Sequence, residues 1–434
     1  LWIAILDIKG AMKVLVIGSG GREHALCWKL KASRNVEALY CAPGNPGTAN
    51  VAENINICAD DLAGLADFAV SQAIDLTVVG PEQPLAMGLT DVFRERGLKV
   101  FGPSKSAAQL EASKSFAKEV MQAAHIPTAP YRVFAYEARS ALEEYLRECE
   151  LPVVLKADGL AAGKGVFVCS TAGEIDVALS QLLTKFSSGK ILVEKFLSGK
   201  EVSYIVATNG TDVVPFASSH DYKRIFDGQC GPNTGGMGAV SPSPHLTKAQ
   251  ETFVQERIIA PLLGEMRRRG APFVGFLYAG LMVSENGDIN VLEFNARMGD
   301  PECQVIMRRM RSDLAMLLMA LAQEGGGPKA PEALAVRWDL QTAVCVVLAA
   351  EGYPGVVKTG DEIVGIELAE SLTDAVVFHA GTAVNSKGRL VTAGGRVLNV
   401  VARGSDLSAA RGAAYQACDY IQFRGRQLRR DIGL

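Results

Sequence analysis

Glu293 and Asn295 stand two apart in the run INVLEFNARMGDPE (289–302). In an extended strand that spacing puts both side chains on one face. A carboxylate and an amide oxygen are hard donors, and side by side they suit a divalent cation bridging nucleotide phosphates. Arg297 joins the face if the strand continues, where its guanidinium would meet a transferring phosphoryl group or a carboxylate. Leu292 and Phe294 alternate with the polar positions, so a strand with one solvated face fits the same spacing.

The lysines raise a related question. LKADGLAAGKGVFV (155–168) sets Lys156 on a strand just before a loop of small residues that holds Lys164. Gly159 and Gly163-Lys164 are too close for a P-loop, and Gly165 stands where Ser or Thr would be needed. As a hairpin-like flap the loop could lay N–H groups over a triphosphate, with Lys156 as a point charge on its oxygens. An exposed hairpin with turn glycines is the alternative. ILVEKFLSGKEVSY (191–204) reads as a strand, a kink at Lys195–Leu197 and a second strand near Glu201. A kinked backbone beside an apolar wall can pair with a purine edge, and an acid a few residues on can accept ribose hydroxyls. A charged edge strand would look the same. HDYKRIFDGQCGPNTGGMGAVSP (220–242) lacks helical periodicity; irregular stretches of that length are usually functional or disordered. Asp221, Lys223 and Arg224 there contact substrate or are simply solvated.

VIGSGGREHALCWKL (16–30) carries a strand, Lys13 to Ile17, into Gly18-Ser19-Gly20-Gly21 and a helix. Such a turn brings backbone N–H groups to an anion at the helix N-terminus. It departs from the dinucleotide fingerprint at Glu23, where a third glycine should stand. The next strand, Glu37 to Cys41, runs into Ala42-Pro43-Gly44 without the ribose-binding acid. The loop therefore suits some other phosphate. His24 is a general base or a helix-start residue, and no Ser/His/Asp or Cys/His set can be assembled.

These residues need elements to position them. At 434 residues the chain has room for two to four domains. A net charge of −3 gives no reason to expect nucleic acid, and nine scattered cysteines without a CxxC pair suit a reducing, cytoplasmic setting. No apolar run spans a membrane. LWIAILDIKGA lacks a basic n-region and a cleavage site, so residues 1–11 read as a dispensable extension. Residues 12–113 alternate short apolar strands with helices, as in an open parallel sheet. Residues 114–333 bring a different organisation, with a flap subdomain at about 134–198 whose strands are separated by one helix. After the linker EGGGPKAPEA, residues 334–434 suggest a small α+β domain ending in a helix from about Ser405.

The motifs VIGSGGREHAL, APGNPGT, VVGPEQPLAMGL, FGPSKSAAQLEASKSFAK, KADGLAAGKGV, GPNTGGMGAVSP, GFLYAGLM, LEFNARMGDPE and FHAGT occur in the order of one family. From Met12 to about Gly433 the chain resembles the ATP-grasp ligases, and among them the glycinamide ribonucleotide synthetase (phosphoribosylamine–glycine ligase) family. The resemblance implies an α/β protein with a Rossmann-like N-terminal domain, a central ATP-grasp domain and a small C-terminal α+β domain. It implies ATP with Mg²⁺ or Mn²⁺, and ligation of glycine to 5-phosphoribosylamine through glycyl phosphate in de novo purine biosynthesis.

By family position Lys114 and Lys156 would contact ATP phosphates, Glu194, Lys195 and Leu197 would hold adenine, and Glu201 the ribose. Glu293 and Asn295 would bind the metal. Gly18, Gly20, Gly21, Arg22 and Glu23 would receive the phosphoribosyl monophosphate, and Asp221 and Lys223 would contact substrate. Arg297 and Lys156 would act in catalysis. GFLYAGLMV lacks the further metal-binding acid common in ATP-grasp enzymes, which leaves the number of metal ions open. A monomer with a single activity and small-molecule substrates is expected. Another ATP-grasp ligase or carboxylase with a different acceptor is the alternative, and a nucleotide-sensing binding protein a third reading.

Overall fold

The apolar runs near the amino end form a five-stranded parallel sheet. Its strands lie in the order Glu53–Asn54, Val36–Pro43, Met12–Gly18, Leu76–Val79 and Val100–Phe101. The strand order reverses between Met12–Gly18 and Leu76–Val79, so a crevice opens at their carboxyl ends. The computed structural model describes residues 11–160, 165–185, 189–322 and 335–434. Residues 1–10, Lys164 with the tip of the expected flap, and the whole Gly/Pro linker lie outside these.

The first helix, Gly21–Lys31, carries Glu23 in its first turn and Lys29 and Lys31 in its last, as the helix dipole favours. It is buried on nearly every side, because the helix Glu302–Arg309 and the strand Val376–His379 cover what the sheet does not. That explains why no clear amphipathic stripe marks it in the sequence.

The central sheet is antiparallel and pairs Val213–Pro215, Lys200–Thr208, Gly275–Val283 and Ile289–Asn295 in that order. A bulge interrupts the last pairing: Gly280 faces Glu293 and Leu281 faces Val291, which leaves Leu292 unpaired. A second antiparallel sheet orders Tyr131–Ala135, Lys190–Lys195, Val153–Ala157 and Val166–Cys169. Two helices accompany it, Arg139–Glu148 and Ala172–Lys185, rather than the one expected. The start of the second is signalled by Thr171-Ala-Gly-Glu174: Thr171 Oγ1 accepts from Glu174 N at 3.2 Å and Glu174 accepts from Ser170 N at 2.6 Å.

The C-terminal sheet runs His220–Asp221, Gly238–Ser241, Thr342–Ala349, Arg396–Gly404 and Val376–His379. Its first two strands come from the middle of the chain, so the boundary drawn at 333 does not separate two packing units. The stretch 220–242, expected to be irregular, holds four short strands, including the hairpin Arg224–Phe226 with Cys230–Asn233. The last helix is Leu407–Tyr420, capped by Asp406, whose carboxylate accepts from Ala409 N at 2.9 Å.

Candidate active site

The three units meet around a cleft of about 330 Å³ at the carboxyl end of the parallel sheet. The edge strand Ile289–Asn295 forms one wall and presents Glu293 and Asn295 to it. The bulge turns the Leu292 carbonyl toward Lys156, whose Nζ donates to it at 3.3 Å. Burial pushes the Glu293 carboxyl up, but Lys223, Lys156, Lys114 and Arg297 outweigh it and hold the pKa below the ordinary carboxylate value. The solvated-face reading therefore fails: the face looks into a basic cleft. One ionised carboxylate beside one amide oxygen suits a hard divalent cation that draws its remaining ligands from phosphates and water. No group of three His, Cys, Asp or Glu able to hold a metal occurs among the described residues.

Lysines line the same side. Lys114 begins the helix Lys114–Ala123 and donates from Nζ to Gly159 O at 2.8 Å, reaching the base of the flap. Burial lowers its pKa, partly offset by Glu293. Lys156 is ion-paired with Glu194 at 3.0 Å, and Glu194 pairs at 3.0 Å with Lys118 as well. All three are buried, so Glu194 balances two ammonium groups rather than offering a free carboxylate to adenine. Lys195, Leu197 and Glu201 do not line the cleft. The Lys195 ammonium is on the surface, paired with Glu150 at 3.2 Å. Glu201 is ion-paired with Lys223, which does face the cleft together with Asp221. Burial pushes the Asp221 carboxyl up to about 7 against the pull of Lys223, 3.8 Å away, and Glu302 and Glu201 add to the rise.

The first loop also borders the cleft, and here an expectation is corrected. Of Gly18, Gly20, Gly21, Arg22 and Glu23, only Arg22 reaches the lining. Glu23 folds back over its own helix start: Oε2 accepts from Gly20 N at 2.6 Å and Oε1 from Arg22 Nε at 2.6 Å. It occupies the space that side chains at Gly18, Gly20 and Gly80 would need. An internal carboxylate thus takes the Gly20 amide and stands at the helix N-terminus, where the expectation had put the phosphate. Gly21 faces the C-terminal strand, where a Cβ would lie 2.2 Å from Asn399 Nδ2. His24 is no base either, since its Nδ1 accepts from the His379 backbone N–H at 2.9 Å and burial lowers its pKa to about 3.

Arg297 lies past the end of its strand yet still lines the cleft. It is held by Glu111 at 2.7 Å and Glu82 at 3.4 Å, and it donates to Asn295 Oδ1 at 3.3 Å. Burial opposes its charge, but Glu111 and Glu82 raise its pKa. Glu82, Glu111, Lys118 and Arg396 are the functional candidates that sequence reasoning missed. Glu82 follows the strand Leu76–Val79 at its carboxyl end, and Lys118 sits one helical turn after Lys114, so both left a signal. Arg396 left none. It enters from the C-terminal sheet, pairs with Asp300 at 3.1 Å and donates to Gly235 O at 2.6 Å.

A parallel-sheet domain, a lysine-rich cleft between two antiparallel sheets and a C-terminal domain closing the third side define an ATP-grasp architecture. Residues 12–111, 112–303 and 343–434 match the N, ATP-grasp (A) and C domains of phosphoribosylglycinamide synthetase, and the chain belongs to that family. It is 48% identical over 427 residues to the phosphoribosylamine–glycine ligase of Ralstonia nicotianae, covering 97% of this chain and 99% of that protein. The enzyme of the same name from Salmonella typhi is 47% identical over 428 residues, covering 97% and 98%. A solved phosphoribosylamine–glycine ligase from Thermotoga maritima superposes with a TM-score of 0.82 at 32% identity, covering 97% of this chain and 100% of that one. Biotin carboxylase from Campylobacter jejuni shares the fold, with a TM-score of 0.70 at 18% identity over 96% of this chain and 93% of that one. Among the described residues no helix is long and apolar enough to cross a membrane.

Proposed function

We propose that the chain is a phosphoribosylamine–glycine ligase that joins glycine to 5-phosphoribosylamine with consumption of ATP, in purine biosynthesis. The observation that carries this reading is that one cleft gathers two unlike sets of groups. Glu293, held ionised by its basic neighbours, lines it with Asn295, Lys114 and Lys156, and so do Arg22, Glu82 and Arg396.

Glycine's carboxylate is a poor electrophile, and an amine cannot expel oxide from it. A carboxylate oxygen attacks the γ-phosphorus of ATP and ADP leaves, giving glycyl phosphate. The amine nitrogen of phosphoribosylamine then attacks the carbonyl carbon, loses a proton, and phosphate departs with its electron pair. Glu293 and Asn295 would hold Mg²⁺ or Mn²⁺, which supplies neutralising charge on the phosphates when bound. Lys114 and Lys156 stabilise negative charge on the transferring group. By family position the segment Glu194–Leu197, of which only Glu194 lines the cleft, would take adenine through its backbone, Glu201 would reach the ribose on leaving its pair with Lys223, and Asp221 and Lys223 would meet substrate near the reacting carboxylate. Arg297, fixed by two carboxylates, orients the edge of the metal site. Arg22 meets the phosphoribosyl phosphate. Gly159 and Gly165, which bracket the expected flap, line the cleft beside the phosphate-binding lysines. The enzyme works as a cytoplasmic monomer.

Glycine labelled with ¹⁸O in its carboxylate tests the chemistry: one label should appear in inorganic phosphate, with ADP formed only when both acceptor and glycine are present. Unlabelled phosphate, or AMP and pyrophosphate, would refute it. Turnover with bicarbonate in place of glycine would favour the carboxylase alternative.

A further inference from the structure

The sequence APGNPGT (42–48) is far from the metal-binding strand and carries no charge, yet it sits where the N- and C-terminal domains touch. Asn45 is buried and uses every polar atom of its side chain. Its Oδ1 accepts from Gly47 N at 2.8 Å and Thr48 N at 3.0 Å, closing its own turn. Its Nδ2 donates in two directions, to Ser19 O at 2.8 Å and to His379 O at 3.0 Å. Ser19 belongs to the loop that delivers Arg22 to the cleft, and His379 ends a strand of the C-terminal sheet.

The surroundings leave this contact little freedom. The His379 backbone is engaged at both ends, since its N–H donates to His24 Nδ1 while its carbonyl takes Asn45. The rings of His24 and His379 close over Gly47, where a Cβ would lie 2.4 Å from His24 Cε1 and 2.6 Å from His379 Cγ. Behind Asn45, Asn54 Nδ2 donates to its backbone carbonyl at 2.7 Å.

From this geometry we propose that Asn45 is a positioning residue for the acceptor side of the reaction. Its amide fixes the loop 18–21 against the C-terminal domain and so sets where the Arg22 guanidinium stands. The C-terminal domain then acts on the acceptor site twice, through Arg396 directly and through Asn45 at the loop. The proposal rests on the reading that Arg22 serves phosphoribosylamine.

Asn45→Asp isolates the function. The carboxylate keeps the acceptor for Gly47 and Thr48 but loses both donated bonds and faces two carbonyl oxygens. The apparent KM for phosphoribosylamine should rise by about 10- to 100-fold, the scale expected of a misplaced binding group, with the ATP KM within about twofold of the parent. A lower melting temperature with both KM values unchanged would make the contact merely structural and overturn the proposal. Arg22→Ala run in parallel separates the two claims. If it moves the ATP KM instead, the acceptor reading fails, and Asn45→Asp supports positioning only by moving that same constant. If Asn45→Asp does not fold, the half-buried Asn54→Ala carries the test: a selective rise in the Arg22-dependent KM supports the proposal, and no change refutes it.

Discussion

Replacing Glu194 with Gln should destabilise the protein more than replacing either lysine it binds. Glu194 lies 3.0 Å from both Lys118 and Lys156, and the side chains of the three are 3%, 2% and 8% exposed. Removing the one anion leaves two ammonium groups in a site whose burial already lowers the pKa of Lys118 despite Glu194. Breaking a buried pair by deleting one member costs about 3–5 kcal/mol. The amide oxygen of Gln can still accept one bond and Lys156 borders the open cleft, so about 3 kcal/mol is expected. For a cooperative unit of roughly 150–250 residues, at about 2–4 °C per kcal/mol, that is a fall of about 6–12 °C in Tm. Lys118→Met should cost much less, because Glu194 keeps Lys156. Adding Lys118→Met to Glu194→Gln should then recover part of the loss, a coupling that a double-mutant cycle in urea reads directly. Additive losses, or a Glu194→Gln variant melting within about 2 °C of the parent, would refute the view that one buried carboxylate neutralises both lysines.

Glu293→Gln should lower ADP release by about 100-fold or more at saturating Mg²⁺, since it removes the anionic ligand and keeps the shape, with a smaller fall in Tm than Glu194→Gln because Glu293 is only half-buried; near-normal turnover would sink the metal assignment. Arg22→Ala should raise the KM for phosphoribosylamine about tenfold or more through loss of a charge-assisted contact, leaving the ATP KM alone. Asp221→Asn should alter the pH dependence of stability. The folded pKa of about 7 lies above the ordinary aspartate value of 3.8, so the protonated carboxyl stabilises the fold below about pH 4 and that contribution is lost as pH rises through 7. The urea midpoint of the Asn variant should therefore gain on the parent between pH 5 and pH 8, and a constant difference across that range would mean that Lys223 keeps Asp221 ionised.

Legibility in the sequence followed the length scale of each interaction. The parallel strands of the first domain were readable because they are short apolar runs ending in Gly or Pro. Glu293 and Asn295 were readable because two positions on a strand share a face whatever lies opposite. What escaped needed partners distant in the chain. The stretch 220–242 looked irregular because its strands are short and one of them, Gly238–Ser241, is defined by pairing with Thr342–Ala349, about a hundred residues on. Arg396 reached the cleft from a sheet that nothing local connects to it. The bulge at Leu292 broke the alternation that a regular strand would have, so Leu292 faces the cleft beside Glu293.

The first loop carries the physical lesson furthest. Its glycines look like those of a dinucleotide site, where their absent side chains let a pyrophosphate approach the helix N-terminus. Here the same absence makes room for Glu23, which packs against Gly18, Gly20 and Gly80 and accepts the Gly20 amide. A carboxylate at that position already satisfies the positive end of the helix dipole, so a second anion there would meet like charge. The cation left to face the cleft is Arg22, anchored by Glu23 at 2.6 Å and by the Met298 carbonyl at 3.3 Å. Burial alone would lower its pKa, and Glu23, Glu82 and Asp300 together keep it charged. The loop has thereby been converted from a backbone anion site into a rigid mount for one guanidinium. A mount of that kind depends on what holds its base, and the carbonyl of Ser19 is held by Asn45 between two domains.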